Sequence, residues 1–596
     1  MDLRLNSAIL LWLLLVGIAL FPLLHKGSLS RSLWWKTFAA FAATLALALP
    51  LWRLPSLLYN GEINVDESQI LAQALKYLAD PLPWRSVVGG SGGPINTWVL
   101  LWAPLFGLKL SYLAARITSL LCAFATLTGC ALALREIAGS RLALLLTLPA
   151  AFLLLSTLNF DFLHFSSEQF PAVLCAWTVY LLAKQCFSTS RIRSFLIGFF
   201  TGAFPFTKIQ VAPAGILLFL LGTAILCRRP ASPSTSNRSS LLVQALGGLT
   251  VPALILGPVA LAGAWGDFME FYIRSGLQYS NASSRISTLD FLFKGAPDFS
   301  AFLTVIIAAS AGALLIQCFR RPKAFSAPAN LLHGAGLLSL FGILLYGIVR
   351  AGFGFPHYLM HLVVPSTLAA GWFASHLLSE QYEAYSPAPE AILPPTVSSS
   401  IKRSEKAKAS KRKASATTAP SLSPDSTAAQ SRRLGVGIAI AAVLLCLIQS
   451  RSTFTIYSKN QLLLAPWGQE NSPIADALKQ MANPGDSLCI WGWYPKLHVF
   501  SQLRPATRFA AGSLPAVPDP EHNPTLRAFL SDVQASKPAF FVDASDEFVF
   551  PGAAPDSQPR HYSFPEFARW VQSEYTLIGS PQTHPSRRPV LIYKRK

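Results

Sequence analysis

Charge is scarce in this 596-residue chain. Asp, Glu, Lys and Arg together make up 13% of it, where soluble domains carry roughly a quarter. That shortage excludes an ordinary soluble protein for most of the length. Cysteine is scarce as well, with eight residues in all. Cys122, Cys130, Cys175, Cys186, Cys227, Cys318 and Cys446 lie in or beside apolar runs, where cysteine serves as a small packing residue. Cys489 alone lies in the polar tail, so the spacing points to neither a disulfide framework nor a CxxC metal site. Acidic residues are outnumbered 29 to 49 by basic ones, for a formal net charge of +20. Nucleic acid does not follow from that excess, because the basic residues are spread over alternate loops rather than gathered on one face.

What the chain has instead is 52% hydrophobic residues, arranged in long runs. A membrane span takes about 20 mostly apolar residues, since the hydrocarbon core is about 30 Å thick. Runs of or near that kind cover Ile9–Leu24, Phe38–Leu51, Leu113–Leu134, Leu142–Leu158, Phe170–Phe187, Phe195–Pro213, Ala214–Cys227, Leu241–Ala264, Phe302–Phe319, Leu331–Val349, Leu359–Leu378 and Gly435–Ile448. Backbone polar groups in lipid must pair within the segment, so these runs predict helices. The fold class is therefore a polytopic α-helical membrane protein of about 12 spans. The start "MDLRLN" has no net positive charge and no A-x-A-like site follows, so the first run reads as a span, not a cleaved signal. Lys and Arg sit in alternate loops: Lys26, Arg31 and Lys36, then Arg135 and Arg141, Arg191 and Arg193, Arg228 and Arg229, Arg320 and Arg321. By the positive-inside rule these loops are cytoplasmic, which puts the N-terminus and the loop after the second span outside.

Composition divides the chain further. Residues 1–54 give two spans, 55–110 a long external loop, 111–382 the main bundle and 434–450 the last span. Between them, 383–433 is rich in Ser, Ala, Pro and Lys and predicts a disordered, basic cytoplasmic linker. Residues 451–596 predict a soluble external α/β domain. Its β-rich runs are Ser487–Trp493, Ala539–Ala544, Tyr575–Ser580 and Pro589–Lys594, with helical spacing at Ser472–Ala482, Asn523–Ser536 and Phe564–Tyr575.

The external loop holds the most informative stretch, "EINVDESQIL", with Glu62, Asp66 and Glu67 in otherwise apolar surroundings. Asp66 with Gln69 three residues on matches a capping box, so the plainest reading makes Asp66 a helix N-cap. Ile70, Leu71, Ala74, Leu75 and Leu78 then form one stripe of an interfacial amphipathic helix. After a Gly-rich bend, Ile95–Phe106 is apolar but too short to cross. It predicts a second interfacial helix, and the two make a shelf at headgroup depth.

These stretches together resemble the GT-C-fold glycosyltransferases, a group that includes protein O-mannosyltransferases and the lipid A aminoarabinose transferase. The resemblance lies in the acidic pair Asp66-Glu67, the turn Gly93-Pro94, Phe106-Gly107, and Ala114-Ala115-Arg116 opening the next span. Two later runs agree: "FGFPHYLMHLVVP" before a late span and "LCIWGWYPKLHVFSQLRPATRF" in the tail. Many relatives carry a lysine at the turn, where this chain has Gly93-Pro94-Ile95. The resemblance implies transfer of a sugar from a polyprenyl-phosphate donor to a glycan, lipid or protein acceptor, with inversion. Asp66 would be the base and Glu67 would position the acceptor, or the two would swap roles.

Phosphate departure calls for positive charge near the reacting end of the donor. Arg350, Lys208, His357, Tyr358 and, in the shelf loop, Arg85 are the candidates, although basic residues at span ends also snorkel. Glu168 reads either as a contact to sugar or acceptor or as a cap of the helix opened by Pro171. No metal ligand set is evident: Asp161 and His164 lack a third ligand at helical spacing, though a carboxylate pair can hold a divalent ion. A multi-span transporter and a non-catalytic assembly protein are the rival readings. The transporter fits poorly with ionisable groups gathered at one face rather than at the midplane.

Overall fold

Polar residues at the ends of the apolar runs decide where each helix starts. Ser30 accepts from Leu33 N and opens Arg31–Trp52; Ser111 accepts from Ala114 N and opens Tyr112–Ala138. The computed structural model describes residues 3–25, 29–157, 159–228, 237–281, 287–320, 328–350, 354–375, 470, 472–510, 523–545, 547, 559–585 and 587–596. Within them, the apolar runs fall on helices Leu3–Leu24, Arg31–Trp52, Tyr112–Ala138, Ala143–Ser156, Gln169–Gln185, Arg191–Ala203, Ala212–Arg228, Asn237–Leu261, Pro297–Arg320, Pro328–Arg350 and Met360–Ser375. Six helices among the described residues are long and apolar enough to cross a membrane. The run Gly435–Ile448 and the insert 383–433 lie outside the described residues.

One span expectation needs correcting. Phe195–Pro213 is not one helix, because the α-helix stops at Ala203 and the chain turns through two 3-10 segments, Phe204–Phe206 and Ile209–Val211. Pro205 sits in the first of these, where a ring without an N–H cannot continue the ladder. The break leaves Lys208 at the end of the bundle that carries the first loop.

Helix Tyr112–Ala138 is the axis of the bundle. Helices Ala143–Ser156, Gln169–Gln185 and Met360–Ser375 pack on it. Ala143–Ser156 has 14 residues and all but Leu146 are buried, so its length of about 21 Å falls short of the hydrocarbon core without exposing backbone to lipid. Arg191–Ala203 and Asn237–Leu261 approach unusually closely. A Cβ on Gly198 or Gly247 would overlap the carbonyl of Gln244 or Phe195 across the contact, as small residues allow between membrane helices.

The first loop does not form two continuous interfacial helices. Val65–Ala79 is one amphipathic helix with Ile70, Leu71 and Ala74 buried. The stretch Ile95–Phe106, however, splits into short turns Pro94–Trp98 and Trp102–Leu105. Pro104 lies within the second, and its tip exposes Leu105, Phe106 and Leu108.

The tail forms a five-stranded sheet in the order β2-β1-β3-β5-β4. The strands are β1 (Ser487–Trp491), β2 (Arg504–Pro505), β3 (Phe540–Asp543), β4 (Tyr575–Gly579) and β5 (Leu591–Arg595). β2, β1 and β3 run parallel, and β5 joins β3 and β4 antiparallel. Helices Pro473–Met481, Pro524–Ser536 and Pro565–Glu574 lie where helical spacing placed them.

Candidate active site

The helix Val65–Ala79 begins at Asn64, not at Asp66. Asn64 is the N-cap, and its side-chain oxygen accepts from Asp66 N at 2.9 Å. The capping-box reading of Asp66 is thereby corrected: an Asx turn from Asn64 satisfies the orphan N–H, and the Asp66 carboxylate has other neighbours. Its Oδ2 lies 3.5 Å from His357 Nε2, and its side chain remains 36% exposed.

His357 comes from the far end of the chain. Pro356 opens the 3-10 turn Pro356–Leu359 that aims the imidazole inward. Its Nδ1 meets Asp161 Oδ1 at 3.2 Å, and the same oxygen accepts from Asn64 Nδ2 at 2.9 Å. Asp161 is presented by the short helix Phe160–Leu163, capped by Asn159. Phe355 stacks on His357 with ring centroids 5.5 Å apart, and Tyr358 stands perpendicular to it at 4.8 Å. A line Asp66–His357–Asp161 results, with the outer carboxylate accessible and the inner one buried. Burial pushes the His357 imidazole down, but Glu168, the Asp161 hydrogen bond and Asp66 outweigh it, and the balance is raised. Asp161 was passed over in the sequence because only its pairing with His164 was visible there. His164 instead turns Nδ1 toward the Phe160 carbonyl at 2.9 Å.

Glu67 points the other way. It is fully buried and binds Arg116 through both oxygens, at 3.1 Å from Nε and 2.8 Å from NH2. The Phe165 N–H donates to it at 3.3 Å. Arg116 also reaches the carbonyls of Ser56, Tyr59 and Gly61, and sits between the Tyr59 and Tyr112 rings. The expectation that Glu67 touches an acceptor is corrected: its two oxygens are spent on an anchor that ties the loop to helix Tyr112–Ala138. Asp66 faces His357 while Glu67 faces Arg116. Among the described residues no group of three or more His, Cys, Asp or Glu side chains is arranged to hold a metal.

Lys208 and Glu168 find each other. They form an ion pair with both side chains buried, Lys208 Nζ donates to Ser167 Oγ at 2.9 Å, and the ammonium lies 4.4 Å from the Tyr358 ring centre. Glu168 makes no cap hydrogen bond, so the capping alternative falls. Burial raises its carboxyl, but Lys208 and His357 more than offset that and hold it below the usual carboxylate range. Lys208 is therefore already neutralised by a protein carboxylate and does not stand open to a phosphate. Arg85 is exposed in the turn 83–87, and Arg350 closes helix Pro328–Arg350 with its side chain exposed.

The Gly-rich bend locks onto the broken helix. Gly92 pairs with Lys208 in a β-bridge, Gly93 N donates to Thr207 O at 2.7 Å, and Asn96 bonds the carbonyls of Ser167 and Thr207. A Cβ on Gly93 would overlap the Phe206 carbonyl and Cα. Gly93→Ala is expected to cost about 1–3 kcal/mol through this overlap, read as a lowered thermal midpoint. An unchanged midpoint would show the bend to be loosely held.

No family model matches the chain, and no curated protein does. Among solved structures, ArnT from Cupriavidus metallidurans bound to undecaprenyl phosphate aligns over 94% of this chain and 98% of its own, at 15% identity and a TM-score of 0.51. This chain has the ArnT fold. The match fits the GT-C architecture that the loop and tail motifs resemble. The apo form of ArnT aligns at 14% identity, 94% and 97% coverage and a TM-score of 0.49. The oligosaccharyltransferase AglB of Archaeoglobus fulgidus aligns at 11% identity over 87% of this chain and 70% of its own, with a TM-score of 0.43.

Proposed function

We propose that the chain is an integral-membrane glycosyltransferase. It moves a sugar from a polyprenyl-phosphate donor to an acceptor hydroxyl on the external face of the cell membrane, with inversion. The observation that carries this reading is the accessible Asp66 carboxylate, relieved of capping and lined up on His357 and Asp161. The ArnT fold supports it, because the ArnT structure holds undecaprenyl phosphate. A non-catalytic assembly role depended on Asp66 being a cap, and Asn64 fills that role.

The chemistry needs one base. Asp66 takes the proton of the acceptor hydroxyl as its oxygen attacks the anomeric carbon, and the bond to the carrier phosphate breaks with its electron pair leaving on phosphate. Phosphate needs no proton to leave, unlike the alkoxide in glycoside hydrolysis, so a second catalytic carboxylate is unnecessary. His357 holds Asp66 in place, and its positive charge faces the departing phosphate together with that of Arg350. Lys208 and Glu168 form their buried ion pair against Tyr358, and Arg85 is exposed on the first loop. The acceptor is a glycan, lipid or protein.

The test is mass spectrometry of lipid-linked sugars and surface glycans in a deletion strain. Accumulation of one lipid-linked sugar and loss of one surface sugar are expected. Unchanged sugars with a defect in small-molecule uptake would make the protein a transporter.

A pH effect follows from His357. Its folded-state pKa is raised, so the contribution of its charge is complete below the ordinary value of about 6.5 and is lost as pH rises through the folded value. Transfer is expected to fall on the alkaline side. His357→Gln should remove that limb and lower the rate about 10-fold or more; an alkaline limb that persists in the variant would assign it elsewhere.

A further inference from the structure

The tail segment from Trp493 to Phe509 lies along the helix that carries Asp66. Trp493 Nε1 donates to Gln69 Oε1 at 3.0 Å. Gln69 is three residues beyond Asp66 and so shares its face of the helix. On the entry side of the same helix, the N–H of Glu62 donates to Glu470 Oε2 at 2.9 Å, and Lys496 Nζ holds Glu470 Oε1 at 2.7 Å. Beyond Gln69, Val499 packs with Ile70, Leu71 and Ala74 in one core. Phe500 meets the Tyr112 ring edge at 5.6 Å, and the Tyr112 hydroxyl bonds Ser68 Oγ at 2.7 Å. Further along, Lys76 Nζ reaches the Ala506 carbonyl at 3.3 Å and Val88 N the Arg508 carbonyl at 2.8 Å.

A helix lying at an interface is free to roll about its axis unless it is held at more than one point. Here one pin sits a turn after Asp66 and the other four residues before it, and both come from the C-terminal domain. The Asp66–His357 separation of 3.5 Å leaves little tolerance, and a displacement of about 1 Å at a reacting group is worth about 100-fold in rate.

We propose that Trp493 and Lys496 are positioning residues for sugar transfer, acting from the C-terminal domain to hold Asp66 in register with His357. This rests on the glycosyltransferase reading above. Trp493 sets the roll of the helix through Gln69. Lys496 neutralises Glu470, which lets that carboxylate take the Glu62 N–H without repelling the Glu62 side chain.

The entry pin is also sensitive to pH. Glu62 Oε2 is buried without a hydrogen-bond partner. It faces Glu470 and Lys496 from the tail, Glu67 and Ser68 from the helix that follows it, and Tyr59, Tyr112 and Tyr494 around it. Burial pushes its carboxyl up to about 7, against the pull of Lys496. A raised carboxyl binds its proton more tightly when docked. Its contribution is therefore fullest below the ordinary carboxylate range and is lost as pH rises through about 7.

The test uses the full-length protein in lipid nanodiscs and the lipid-linked sugar that accumulates in the deletion strain as donor. Trp493→Phe keeps an aromatic ring and removes the N–H; Lys496→Met removes the charge; Lys496→Arg retains it. The first two are expected to lower kcat about 10-fold or more with KM and thermal midpoint unchanged, and Lys496→Arg to restore it. Hydrogen-exchange protection of residues 65–79 should decline from pH 5 to pH 8 in the wild type and stay level in Glu62→Gln. Wild-type kcat in both variants overturns the proposal. So does a loss that merely tracks the thermal midpoint without rescue by Lys496→Arg. If no sugar transfer is detected in the wild type, the enzyme reading fails; if Asp66→Asn transfers sugar normally, Asp66 is not the base; if only the tail variants do, the positioning role alone fails.

Discussion

Asp66→Asn is expected to lower sugar transfer by about 100- to 10,000-fold, the span typical for loss of a general base, while leaving the fold intact. The asymmetry follows from what Asp66 does in the helix. Its backbone N–H is bonded by Asn64 and survives the substitution. Its carboxylate contributes to the helix only as an acidic group in the first turn, worth about 0.3–1 kcal/mol of stability. The rate loss corresponds to about 3–5 kcal/mol of barrier, so the two effects separate cleanly. Asparagine keeps the shape and can still meet His357, but it cannot take a proton. The measurement is turnover of the accumulated lipid-linked donor beside the thermal midpoint of the same preparation. Turnover at the wild-type rate would remove Asp66 from the chemistry. Asn64→Ala provides the converse: loss of the cap costs about 1 kcal/mol and frees the start of the helix, with a smaller rate effect.

The sequence made some of this legible and hid the rest for identifiable reasons. Apolar runs announce helices because lipid forces the backbone to pair locally, and the tail strands announce themselves by β-branched and aromatic runs at Ser487–Trp491 and Phe540–Asp543. The acidic pair was legible as a place, but not in the division of labour within it. Adjacent residues on a helix point about 100° apart, so one of Asp66 and Glu67 had to turn toward the bundle, and only the position of Arg116 decides which. The capping role went to Asn64 because it also fits an N-cap, two residues earlier. Asp161 and His357 are 196 residues apart, and no local spacing links them. Lys208 read as an open cation at a span end; its partner Glu168, 40 residues earlier, read as a cap. The broken helix at Phe204–Phe206 carried a signal, Pro205, that an unbroken apolar run obscured.

Arg116→Ala is expected to be the most destabilising single change at the anchor of the first loop, by about 3–5 kcal/mol, because it strands a buried carboxylate. The motif residues Glu67 and Arg116 looked like separate signatures in the sequence, yet they form one ion pair, with side chains 0% and 1% exposed. Arg116 also satisfies the carbonyls of Ser56, Tyr59 and Gly61. Removing it therefore leaves a charge unpaired and three backbone acceptors unserved around residues 56–61. Glu67→Gln keeps the shape and part of the hydrogen bonding, so its expected cost is smaller, about 1–3 kcal/mol. If the pair is the anchor, Glu67→Gln combined with Arg116→Ala should cost less than the two single losses added, since the stranded carboxylate is gone. Thermal midpoints of the three variants in one detergent measure this. Additive losses would mean that Arg116 acts through the carbonyls alone. Transfer provides the second axis: Arg116→Ala releases residues 56–61 and with them the entry to the Asp66 helix, so activity should fall together with stability. That coupled loss distinguishes the anchor from Asp66→Asn, where activity falls and stability does not.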